Sequence, residues 1–80
     1  MSIKYNMVKE IYFGEKNMRT SYGIVACDEQ GDIDSIIKFI HDISADEQAV
    51  CDLVSRCNIL QLSLEHFDDI VNDFINDVTR

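Results

Sequence analysis

Residues 3–27 read IKYNMVKEIYFGEKNMRTSYGIVAC, and the fold follows from how this stretch alternates. From Ile3 to Phe13 the odd positions carry Ile3, Tyr5, Met7, Lys9, Ile11 and Phe13, while the even ones carry Lys4, Asn6, Val8, Glu10 and Tyr12. A period of two puts successive side chains on opposite faces, the mark of a strand with one buried side. Gly14-Glu15-Lys16-Asn17 supplies turn chemistry. Met18 to Cys27 then alternates again, with Thr20, Tyr22, Ile24 and Ala26 on one side. The two runs predict a hairpin. Pairing Phe13 with Met18 sets Ile11 opposite Thr20, Met7 opposite Ile24 and Tyr5 opposite Ala26, so that one face is apolar along its length.

Downstream, Asp28-Glu29-Gln30-Gly31-Asp32 reads as a second turn. Its acidic spacing invites a calcium loop, but Gly31 precedes Asp32 where the EF-hand glycine follows its third ligand position, and a solvated turn is expected. Ile33 to Ile43 holds Ile36, Ile37, Phe39 and Ile40, an isoleucine enrichment that favours a third strand over a short helix. Ser44-Ala45-Asp46-Glu47 matches a capping box and predicts a helix starting at Ser44, with Val50, Leu53, Val54 and Cys57 on its buried face and Asn58 as a left-handed stop. Ser63 is the next N-cap. It opens an apolar stripe through Leu64, Phe67, Ile70, Val71, Phe74, Ile75 and Val78.

The expected fold is α+β, a single domain over residues 1–80: a three-stranded antiparallel meander (1–43) followed by a helical hairpin (44–80), βββαα, with the helices on one sheet face. The other face would stay open, carrying Val8, Tyr12 and Val25, with Ile36 and Ile40, among polar neighbours. Eighty residues bury only about 60% of their unfolded surface. A homodimer through Val8, Tyr12 and Val25 would compensate.

Seven Lys and Arg against fifteen Asp and Glu give a net charge of −8 and a pI near 4.4, the reverse of what phosphate-backbone binding requires. Direct nucleic-acid binding is disfavoured. The charge is also segregated: residues 1–20 are net positive, with Lys4, Lys9, Lys16 and Arg19 against Glu10 and Glu15, whereas the remainder is strongly acidic. A solvated surface is the ordinary reading of such acidity, and a face for a basic partner is the sharper one. Met1 to Lys9 lacks the apolar run of a signal peptide and no stretch is long enough to span a membrane, so a cytoplasmic location is expected. Cys27, Cys51 and Cys57 are odd in number, form no CxxC pair, and are expected to be reduced, buried thiols.

The run Ile40-His41-Asp42-Ile43-Ser44-x-Asp46, followed by Leu53, Cys57-Asn58, Leu62-Ser63, His66, Asp69 and Val71-x-Asp73-Phe74, resembles a family of short proteins of unknown function from clostridia and related Firmicutes. Tyr22-Gly23-Ile24 in the hairpin fits the same family. The resemblance covers most of the chain and implies a bacterial cytosolic protein. It brings no catalytic residue with it.

Chemistry-bearing residues are sparse. His41-Asp42 echoes the metal-binding dipeptide of phosphohydrolases, but those sites draw further ligands from a helical bundle this chain is too short to build, and a histidine bonded to a neighbouring group is expected. His66 and Asp69 offer two ligands only, at i,i+3 spacing. A Cys57–His66 nucleophile pair fails because Cys57 falls on the apolar stripe, where burial makes a thiol inert. No enzyme activity, metal or cofactor is therefore expected. The second helix breaks a local rule, since Asp68, Asp69, Asp73 and Asp77 are weak helix formers and the last two lie toward the negative end of the helix dipole. Glu65, His66, Asp69, Asp73 and Asp77 are accordingly the candidate partner-binding residues of a non-catalytic protein-interaction or regulatory module. The alternative is an acidic nucleic-acid mimic that inhibits a DNA-binding protein.

Overall fold

β1 (Ile3–Phe13) and β2 (Met18–Asp28) pair antiparallel in the register that alternation predicts, with Phe13 opposite Met18, Ile11 opposite Thr20, Met7 opposite Ile24 and Tyr5 opposite Ala26. The turn closes with the Gly14 amide donating to the Asn17 carbonyl at 2.7 Å. β3 (Ile36–Ser44) joins the free edge of β2, giving the strand order β1-β2-β3, and α1 (Glu47–Ile59) and α2 (Leu64–Val78) follow. This computed structural model describes residues 3–28 and 36–78, with side chains through residue 76. The predicted turn at Glu29–Asp32, and Ile33, lie outside the described residues. Among those described, no helix is long and apolar enough to cross a membrane.

The three antiparallel strands followed by two helices form the expected βββαα arrangement. The core lies between the sheet and the helices: Tyr5, Tyr22, Ile24, Ala26 and Ile43 from the strands meet Val50, Leu53, Cys57, Phe67 and Val71. α1 packs against all three strands, and α2 against β3 and, through Phe67, against Tyr5. Lys38 of β3 adds an ion pair to Asp68 at 2.5 Å.

Four expectations are corrected in detail. Asp46, not Ser44, caps α1: its carboxylate accepts from the Ala49 amide at 3.2 Å, while the Ser44 hydroxyl accepts from the Asp46 amide and the Glu47 carboxylate accepts from the Tyr22 hydroxyl. Asn58 is no left-handed stop. Gln61 takes the positive φ of 50°, and the Asn58 carboxamide spans the exposed edge of β1, accepting from the Tyr5 amide at 2.8 Å and donating to the Tyr5 carbonyl at 2.9 Å. It thereby satisfies two backbone groups that an edge strand leaves unpaired. Ile40 faces the helices rather than the open face, because it pairs with the buried Ile24; beyond it β3 bulges, carrying two extra residues between the Ile24–Ile40 and Tyr22–Ser44 pairs. Phe74 is only half-buried, although it shares the stripe of α2 with the fully buried Phe67.

Candidate functional site

Two surfaces bear the chain's chemistry. On the helical side, Glu65, His66, Asp69 and Asp73 are all exposed. The His66 ring contacts the Ser63 hydroxyl at 3.3 Å, whereas Glu65, Asp69 and Asp73 meet no hydrogen-bond or ion-pair partner among the described residues. The Asp77 side chain lies outside the described residues. No basic residue stands in the last turn of α2 to offset its dipole. Beside this ridge, Leu53 and Arg56 of α1 and Ile70, Asp73 and Phe74 of α2 line an open groove of mixed character, with three apolar side chains, one charge of each sign, and more polar than apolar surface exposed.

The other surface is the bare face of the sheet, where the bulge in β3 does what bulges commonly do and re-aims side chains. Asp42 adopts φ 52°, a left-handed conformation that Asp tolerates better than most residues. Ile40 and Ile43 both reach the core, and His41 and Asp42 between them meet groups on the bare face. The Glu10 carboxylate accepts from the Asp42 amide at 2.9 Å and lies 2.7 Å from His41 Nδ1. Burial would raise the Glu10 carboxyl, but the bonds from His41 and the Asp42 amide outweigh it and hold the group below its ordinary value. An ionised carboxylate can only accept, so His41 Nδ1 carries the proton. The His41 ring stacks on Phe39 at 3.9 Å.

Arg19 grips Asp42 with two parallel bonds of 2.8 and 2.9 Å and lies over the Tyr12 ring, 4.7 Å from its centre. The buried Ser21 hydroxyl donates to the same carboxylate at 2.5 Å. Together the Arg19 guanidinium and the Ser21 hydroxyl bring the Asp42 carboxyl down to about 2. The network is therefore closed on itself, each charge meeting its opposite or a hydrogen-bond donor, and it fixes the bulge. Sequence reading found His41 but not its partners, because Glu10 and Arg19 lie on other strands and no local pattern links them.

The candidate dimer face does not survive as drawn. Val25 is 7% exposed and so is shielded within the protomer, and Val8 and Tyr12 are half-buried. Of the cysteines only Cys57 is buried as expected. Cys27 is intermediate and Cys51 exposed, since Cys51 falls on the outer side of α1. Burial pushes the Cys57 thiol up despite nearby Arg56, which disfavours the thiolate that nucleophilic chemistry needs.

A sequence model of a family of unknown function (DUF6514) matches residues 1–77. The chain belongs to this family. No curated protein and no solved structure matches it. Membership supports the extent of the fold and brings no activity, so function has to be read from the side chains.

One pH dependence follows from the Asp42 network. A carboxyl whose folded value lies at about 2 against an ordinary 3.8 contributes stability that is present above 3.8 and is lost as pH falls between the two. The pair is partly exposed, so solvent screens it and the contribution is modest. In thermal melts from about pH 5 downward, Arg19→Gln should show a shallower acid limb than wild type. Superimposable acid limbs would count against the pairing.

Proposed function

We propose that this chain is a non-catalytic protein-interaction module of the bacterial cytosol, whose working face is the helical layer. The observation that carries the reading is the row of exposed Glu65, Asp69 and Asp73 without cationic partners among the described residues, bordering a groove that Leu53, Ile70 and Phe74 line together with Arg56 and Asp73. From Ala45 to Val78 the chain has eight carboxylates against Arg56 alone. Such a face suits a partner segment that brings cations at its edge and apolar side chains at its centre. The bare-face network has no comparable deficit, because its charges already meet one another. Free thiols in Cys27, Cys51 and Cys57 accord with a reducing compartment. The second reading, an acidic nucleic-acid mimic, is favoured by the same carboxylates, but the apolar side chains of Ile70 and Phe74 set among them speak for the first.

The test is capture of cell proteins on the immobilised full chain, compared with Asp69→Asn/Asp73→Asn. Like charges at i,i+4 repel by a few tenths of a kcal/mol, so the double variant should be as stable as wild type or slightly more so. Its partner should be lost, and wild-type capture should fall steeply with added salt. Retention of the same proteins by both forms would remove the acidic ridge from the reading. A lower melting temperature would show that one of these carboxylates makes a native contact.

A further inference from the structure

The hairpin runs well past the helices. β3 ends at Ser44, opposite Tyr22, and α1 begins three residues later, so the two-layer part of the molecule stops at the level of Lys9 and its partner Tyr22. Four residues back along β1 lies Tyr5, tied to Asn58 near the far end of α1; four residues forward lies Phe13, at the tip of the bare arm. At about 3.3 Å per residue each span is roughly 13 Å. The span from Lys9 to Tyr5, where Asn58 is tied, and the span from Lys9 to the arm's tip thus have equal length. The fold is accordingly long and thin, 43 × 29 × 18 Å.

Strand parity sorts the arm's side chains. The face on the helix side carries Lys9, Ile11, Phe13, Met18 and Thr20, while Glu10, Tyr12, Arg19 and Ser21 lie on the other. Phe13 is 78% and Met18 70% exposed, large apolar side chains that the protomer leaves in water. Lys9 on this face and Lys16 in the turn add cations, against Glu15 in the turn. The helical layer is the converse, acidic along α2, with Ile59 79% and Leu60 57% exposed at the end of α1.

We propose that the arm and the helical layer are complementary halves of a two-fold homodimer, in which each arm lies over the partner's helices. This rests on the reading of the helical layer as a binding face and names a second copy of the chain as its occupant. With the axis at the level of Lys9 and Tyr22, equal lengths bring Phe13 and Met18 of one copy level with Ile59 and Leu60 of the other. Lys16 at the tip then approaches the carboxylates at the start of the partner's α2, while Lys9 lies at the level of the axis. Both arms and both helical layers are used, so association closes at two copies and leaves no surface to propagate a fibre. Apolar burial of this kind is what a domain of this size lacks alone. Charge complementarity sets the direction, since an arm laid on an arm would bring the cations of one against those of the other, whereas the partner's α2 offers carboxylates.

Sedimentation equilibrium of the full chain tests this. Wild type should run at twice the 9.2 kDa chain mass in the micromolar range. Phe13→Lys and Leu60→Glu each place a charge on a surface the protomer does not bury, so both should keep the wild-type circular dichroism spectrum yet run as monomers. Mixed together, they should regain the dimer mass, because one contact is then wild type and the other pairs Lys with Glu. If either variant is misfolded, Met18→Lys with Ile59→Glu replaces it. Arm-to-arm pairing predicts a different pattern, with Leu60→Glu still dimeric and no rescue on mixing, and would overturn the proposal. So would a wild-type chain monomeric at about 100 μM, well above the range a specific homodimer requires. That result would leave the acidic ridge to its own capture test, which does not depend on self-association.

Discussion

Phe67→Ala is expected to leave most of the chain unfolded at room temperature. Phe67 is fully buried between α2 and the sheet, with its ring centre 4.7 Å from that of Tyr5 and tilted by 41°. Truncating a buried Phe costs about 3–5 kcal/mol, through lost burial and the cavity left behind. Whole domains have only about 5–15 kcal/mol, and small ones sit at the low end. The loss also spreads, because the Tyr5 hydroxyl donates to the Leu62 carbonyl at 2.7 Å and so holds the turn between α1 and α2. Phe74, seven residues on along the same stripe, lines the open groove beside Leu53 and Arg56 and is half-buried. Phe74→Ala should therefore cost clearly less. Urea unfolding followed by circular dichroism compares the two, and a Phe74→Ala penalty equal to or larger than that of Phe67→Ala would mean that the groove is filled in solution.

The contrast between these two phenylalanines illustrates how much of this protein is legible in its sequence. Periodicity reports which stripe a residue belongs to, and it placed both on the buried side of α2. It does not report how far along the helix the sheet extends, so it cannot separate a core Phe from one at the open end. The hairpin register was legible to the residue because a one-position slip would turn every apolar side chain outward. The third strand was legible from its isoleucines, but its bulge was not. A left-handed residue, Asp42, lets Ile40 and Ile43, three positions apart, both reach the core and leaves His41 to meet Glu10. Asn58 escaped for a related reason, since a carboxamide that caps an edge strand and one that stops a helix look alike in sequence. Of the acidic ridge, the exposure of Glu65, Asp69 and Asp73 was legible from the stripe they avoid. The groove beside them required the relative placement of two helices, which no local pattern encodes.

Gly23→Ala is the second substitution expected to have a large effect, and its reason lies wholly in that unforeseen bulge. Gly23 has no positive φ, so in an ordinary strand alanine would be tolerated or even stabilise slightly by restricting the unfolded chain. Here an added Cβ would stand 2.5 Å from the Ile40 carbonyl oxygen, 2.9 Å from Glu10 Oε1 and 3.1 Å from Phe39 Cε1. The Glu10 carboxylate could swing aside only by releasing the Asp42 amide and His41. The Ile40 carbonyl belongs to the β3 backbone and cannot yield unless β3 moves off β2, which would open the core at Ile24 and Ile43. Overpacking against side chains costs about 1–3 kcal/mol, and a backbone obstacle puts this case at the upper end or beyond. For a domain of this length that corresponds to a fall in melting temperature on the order of 12–24 °C. Gly14→Ala serves as the control, because its Cβ would meet only the Asn17 carbonyl oxygen, at 3.3 Å in an exposed turn, and it should melt within a few degrees of wild type. Equal melting temperatures for the two alanine variants would place β3 farther from Gly23 than the bulge allows, and the Glu10–His41–Asp42 network would lose the crowded floor on which it is built.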